Sequence, residues 1–87
     1  GKMFVVSGKV QKVGYRAWIK KQAKVRRLHG FTKNIEDGTV QVVVMGTDKD
    51  ILNNFKFVCY EGPKKAEVED VTESEWNKPV KIRKHGS

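Results

Sequence analysis

Residues 8–16 read GKVQKVGYR: a glycine, a second glycine six residues on, and an arginine just ahead of a helix-like run. A loop that leaves a strand and opens a helix points main-chain N–H groups outward, and the helix dipole adds positive potential at the same spot. Gly8 and Gly14 let such a loop curl, so that successive amides can converge into a concave anion nest. Arg16, at the start of the helix, adds a planar fork of donors matched to phosphate oxygens. The chemistry these residue types suit is the holding of a phosphoryl group or a similar anion. The plainer alternative is an ordinary strand-to-helix turn with a surface arginine. Lys12 raises a separate question, because a bulky charge interrupts a backbone that otherwise reads as turning tightly.

Other candidate residues are weaker. Asn34 stands beside a hairpin, where an asparagine commonly bonds its own backbone. His29 and His85 read as a helix-end residue and a tail residue rather than catalysts. Cys59 lies among apolar helix positions and reads as an inert buried thiol. Trp18 and Trp76 read as packing residues with no role in chemistry. The chain offers no Ser-His-Asp set, no metal-ligand cluster and no assignable acidic pair, and no cofactor is expected.

The elements that must position the loop follow from periodicity. Residues 3–10, MFVVSGKV, read as a strand ending near Gly8. Residues 16–28 read as a helix with Ile19, Ala23 and Leu28 on its apolar stripe and Gly30 as its stop. Arg26 falls beside that stripe, with its stem along the core edge and its head in water. Residues 31–46 read as a hairpin turning at Asp37-Gly38, with Val40, Val42 and Val44 on one face of the return strand. Val43 and Met45 make the other face partly apolar too, which suits an interior strand.

A second helix begins at a capping box of Thr47 and Asp50, buries Ile51, Leu52, Phe55, Val58 and Cys59, and ends at Gly62-Pro63. Residues 66–76, AEVEDVTESEW, alternate like a strand with one wet face and a bulge near Asp70-Val71. A short last strand is expected around residues 80–84. The order strand, helix, strand, strand, helix, strand packs economically as an antiparallel sheet with both helices on one face, an α+β ferredoxin-like sandwich. That fold hosts many unrelated functions.

The chain has 87 residues, which makes one domain spanning 1–87 with a core over about 3–84. Its single cysteine excludes an internal disulfide framework and the usual multi-cysteine zinc sites, and a reducing, cytoplasmic compartment is expected. No run approaches the roughly 20 apolar residues of a membrane span, and no secretory pattern opens the chain. Eighteen basic residues against ten acidic ones give a net charge of +8, which favours anionic partners by long-range steering. Lys20, Lys21, Lys24, Arg26 and Arg27 can equally form the solvated face of a helix. Nothing suggests an obligate interface, so a monomer is expected.

The strings GKVQKVGYR, LHGFTKN, DGTVQV and GPKKAEVEDV together resemble the acylphosphatase family over roughly Phe4 to Trp76. That family's loop reads Gly-x-Val-Gln-Gly-Val-x-Phe/Tyr-Arg, and its second landmark is Gly-aromatic-x-x-Asn ahead of a hairpin turn. Both occur at the family spacing, as Gly8 to Arg16 and Gly30 to Asn34. The resemblance implies a ferredoxin-like βαββαβ sandwich that hydrolyses acyl phosphates to a carboxylate and inorganic phosphate without a metal. Carried over, Arg16 would bind the phosphoryl group together with the main-chain amides of Gln11, Lys12, Val13, Gly14, Tyr15 and Arg16. Asn34 would hold the attacking water.

Lys12 stands where the family has glycine. If the position needs positive φ, the lysine costs about 1 kcal/mol or more and the loop shifts; if not, its ammonium simply adds attraction. Arg26 and Arg27 stand where an apolar residue and a glycine are common, which bears on stability. The rival reading is a catalytically impaired homologue, a basic module that binds inorganic phosphate, similar anions or nucleic acid. Its nucleic-acid version lacks support, since no RNP1-like string of the ferredoxin-like RNA binders is present.

Overall fold

Phe4 and Val6, two apart in the first segment, are both buried, as the period-two alternation of a strand facing a core requires. They lie on β1 (Lys2–Lys9), the first element of a computed structural model that describes residues 1–78. There follow α1 (Tyr15–Val25), β2 (His29–Asn34), β3 (Val40–Met45), α2 (Lys49–Glu61) and β4 (Glu67–Glu75). The four strands form one antiparallel sheet in the order β2-β3-β1-β4. This is the expected ferredoxin-like architecture. The final strand expected over residues 80–84, and His85, lie outside the described residues.

The core lies between the sheet and the helices. Phe4 and Val6 of β1, Val40, Val42 and Val44 of β3, and Val71 of β4 meet Tyr15 and Ile19 of α1 and Leu52, Phe55 and Cys59 of α2. The Phe4 and Phe55 rings stack at 6.1 Å between centroids. β3 is an interior strand, as its two apolar faces suggested, and Val43 is buried on the side away from this cluster. Trp18 packs beside Tyr15 and Trp76 meets Phe31 edge-on at 5.8 Å, so both indoles serve packing. Among the described residues no helix is long and apolar enough to cross a membrane.

Several boundaries differ from the sequence expectation. α1 ends at Val25 rather than residue 28, closed by a paired hydrogen bonding in which Leu28 N–H donates to Ala23 O and Arg27 N–H to Lys24 O. The left-handed residue of this cap is Arg27, at φ 59°, so Gly30 is not the helix stop. Gly30 belongs to β2, where a Cβ would collide with the Val43 carbonyl. The cap of α2 is Asp48, not Thr47: its carboxylate accepts from the N–H groups of Asp50 and Ile51.

The bulge of β4 falls at Glu69, because Ser7 pairs with Asp70 while Gly8 pairs with Val68. It brings Val68 and Val71 to one face although they are three apart. It also reassigns Gly8, which does not curl the loop but sits within β1 at φ 116°, where a side chain would strike the Glu67 carbonyl. Arg26 behaves as expected, half-buried, with its guanidinium donating to Gln22 O at 2.9 Å and Gln22 Oε1 at 3.0 Å.

Candidate active site

The loop between β1 and α1 is held by its apolar residues. Val10 and Tyr15 are buried and Val13 packs against the core, which leaves Lys12, Gly14 and Arg16 facing water. The Tyr15 hydroxyl donates to Cys59 O at 2.8 Å, pinning the start of α1 to α2. Tyr15 was expected to contribute its main-chain amide; the buried anchoring of its ring shows only in the tertiary structure. Burial raises the pKa of the Tyr15 hydroxyl and pushes that of the Cys59 thiol up to about 12. The Cys59 thiol is therefore protonated at neutral pH, as an inert core group is.

Main-chain geometry gives the loop its character. Lys12 has φ 61° and Gly14 φ 78°, whereas Gln11, Val13 and Tyr15 are absent from the positive-φ residues, so the sign of φ alternates along residues 11–15. Such alternation turns successive N–H groups toward one point and makes an anion-binding concavity. Lys12 therefore adopts the left-handed conformation that a glycine takes without strain. Gly14 is the N-cap of α1, with no side chain to satisfy the first amides. Among the described residues, no hydrogen bond is donated by the main-chain N–H groups of residues 11–14. The first helical amides, Tyr15 and Arg16, are free as at any α-helix start. Arg16 is exposed at the second helical position and makes no ion pair or hydrogen bond among the described residues.

Asn34 reaches the same end of the sheet by topology. β1 and β2 both run antiparallel to β3, so they are parallel to each other and finish at one end. Asn34 closes β2 and pairs with Val40, a core residue, so its side chain projects from the helix-bearing face of the sheet. That is the face on which α1 begins. Asn34 is exposed and, among the described residues, its side chain bonds no backbone, so the turn-residue alternative has no support. That local role belongs to Asp37, whose carboxylate accepts from Thr39 N–H at 2.9 Å and Thr39 Oγ1 at 2.6 Å. Those bonds hold the Asp37 pKa below the usual carboxylate value.

Beyond the main-chain amide expected of it, Gln11 has a side-chain task. Nε2 donates to Ile35 O at 2.8 Å and to Thr39 O at 2.9 Å, tying the loop to the β2–β3 turn. Two cavities elsewhere exclude the loop: one of about 120 Å³ between α1 and β2, lined in part by Lys20, Lys24 and Phe31, and one of about 360 Å³ at the opposite end of the sheet, beside Gly1 and Gly46. With Lys12, Gly14 and Arg16 exposed, the candidate site is an open stretch of surface. No cluster of metal-ligating side chains occurs among the described residues.

An array of exposed main-chain amides with one arginine, and an asparagine at the same end of the sheet, can hold a tetrahedral oxyanion and orient a water beside it. Known proteins are similar to the chain over this whole region. The family model described as acylphosphatase matches residues 2–85. An acylphosphatase of Rhodopseudomonas palustris is 42% identical over 67 residues, 77% of this chain and 67% of that protein. One of Thermus thermophilus is 39% identical over 79 residues, 91% and 88% of the two chains. Crystallography of an acylphosphatase from Bacillus subtilis gives a fold that superposes with a TM-score of 0.78 at 32% identity, covering 91% of this chain and 89% of that one. The structure of an acylphosphatase from Coxiella burnetii superposes at 0.81 with 33% identity, covering 94% and 83%. With fold and sequence in agreement along nearly its full length, the chain belongs to the acylphosphatase family.

Proposed function

We propose that the protein is an active, metal-independent hydrolase of acyl phosphates, working as a cytoplasmic monomer. The observation that carries the reading is the alternating φ of residues 11–15, which turns unpartnered amides toward one point at the start of α1, the helix that carries Arg16. The phosphoryl oxygens rest on these amides and on the Arg16 guanidinium, and Asn34 holds the water in line behind the phosphorus. Water oxygen forms the new P–O bond as the bond to the acyl oxygen breaks, and the water's protons pass to the phosphate product and solvent.

The leaving group is a carboxylate with a pKa near ~4, so it departs without protonation and no general acid is required. What remains is to stabilise phosphoryl charge and to align the nucleophile, the two tasks this cradle fits. The rival of an impaired anion-binding module rested on Lys12. Its positive φ argues for an intact cradle, since the lysine takes the conformation of the glycine it replaces.

The test is turnover of benzoyl phosphate followed by absorbance, with and without a chelator. The expected result is hydrolysis insensitive to chelation, reduced about 10²- to 10³-fold in Arg16→Ala, as for loss of an oxyanion donor, and strongly reduced in Asn34→Ala. Wild-type rates no higher than those of both variants would refute the reading.

A further inference from the structure

Resting on that reading, we propose that the Gln11 side chain is a positioning residue that sets Asn34 against the phosphate cradle. The two halves of the site sit on strands that do not touch. β3 lies between β1 and β2, so the end of β2 stands about 10 Å from β1 across two strand spacings. The sheet registers these ends only as far as Val40, which pairs with Val6 on one side and Asn34 on the other. Beyond Val6 the chain still passes a bulge and enters an irregular loop before reaching the cradle. In-line attack tolerates little error, and a misplacement of about 1 Å can lower a rate by about a hundredfold.

Gln11 supplies the missing connection. Both of its bonds land at the two ends of the turn that follows Asn34: Ile35 O, which also accepts from Gly38 N–H, and Thr39 O, which also accepts from Ile35 N–H. Each amide hydrogen of the half-buried Gln11 side chain thus finds a carbonyl. Among the described residues these are the only side-chain hydrogen bonds between residues 10–14 and the rest of the chain. The same residue contributes its main-chain amide to one half of the site and grips the backbone beside the other half. A glutamine is suited to this because one NH2 group can bridge two carbonyls, which neither a glutamate nor an aliphatic side chain of the same length can do.

The experiment measures kcat for benzoyl phosphate, the inhibition constant of inorganic phosphate, and thermal stability, in Gln11→Met, Gln11→Glu, Asn34→Ala and Gln11→Met/Asn34→Ala. Gln11→Met keeps the length and packing of the side chain and is the variant to rely on if Gln11→Glu does not fold. The expected result is a kcat lowered about ten- to a hundredfold in Gln11→Met with phosphate inhibition within about twofold of wild type. In the double variant, kcat should fall no further than in Asn34→Ala alone, because a misplaced asparagine and a missing one are equivalent. Phosphate inhibition weakened as much as kcat would overturn the proposal by showing that Gln11 shapes the cradle instead. So would effects of the two substitutions that multiply. If Asn34→Ala itself keeps the wild-type kcat, the fault lies in the role given to Asn34 and not in the clamp alone.

Discussion

At the residue scale, two positions hold non-glycine residues in left-handed backbone: Lys12 at φ 61° and Arg27 at φ 59°. A side chain in that region costs on the order of 1–3 kcal/mol, and the structure must over-determine it to persist. At Lys12 the buried anchors Val10 and Tyr15 on either side hold the loop in shape. At Arg27 the two hydrogen bonds of the α1 cap do the same. Glycine at either position relieves the strain, so Lys12→Gly and Arg27→Gly should each raise stability by about 1 kcal/mol, or Tm by about 4–8 °C. The sites have no shared partners, so the gains should add in the double variant. Calorimetry that finds unchanged midpoints would refute the strain argument.

At the element scale, the start of α1 is fixed to α2 by two buried groups, the Tyr15 hydroxyl and the backbone of Cys59. Burial raises the pKa of the Cys59 thiol from 9.0 to about 12, and that of the Tyr15 hydroxyl moves the same way. Both groups stay neutral in the folded protein at a pH where the unfolded chain would ionise them. The stabilisation is therefore complete below about pH 9 and is lost as pH rises toward 12. Denaturant midpoints should hold steady near neutrality and fall above about pH 9, with a shallower fall in Cys59→Ala. An equally steep fall in that variant would show that other groups govern alkaline unfolding.

At the scale of the whole molecule, the chain carries a net charge of +8, and the substrate proposed for it is an anion. The field of such a chain raises the encounter rate with anionic substrate and is screened over about 10 Å at 0.1 M salt. Raising ionic strength from about 20 to about 200 mM should lower kcat/KM for benzoyl phosphate several-fold while leaving kcat nearly constant, because the field acts on encounter and binding. A kcat/KM that is flat with salt would mean that the lysines of α1 are only a solvated face.

How much of this was legible beforehand depends on range. The order of elements, the Asp37-Gly38 turn, the buried stripes and the irregular loop ahead of α1 are dictated by neighbours a few residues apart, and the sequence by itself determined them. The two helix-boundary errors arose where local signals competed. Thr47 and Asp48 are both capping types, and Gly30 looked like a stop although Arg27 had already ended the helix. Only the tertiary structure decided why Gly8 must be glycine, where the Tyr15 hydroxyl and the Gln11 amide go, and which face of the sheet Asn34 occupies. Each of those depends on a strand register or helix contact between residues far apart in the chain. Periodicity places a side chain on one face of its own element; the partner it meets there is set when β3 inserts between β1 and β2 and brings Arg16 and Asn34 to one end of the sheet.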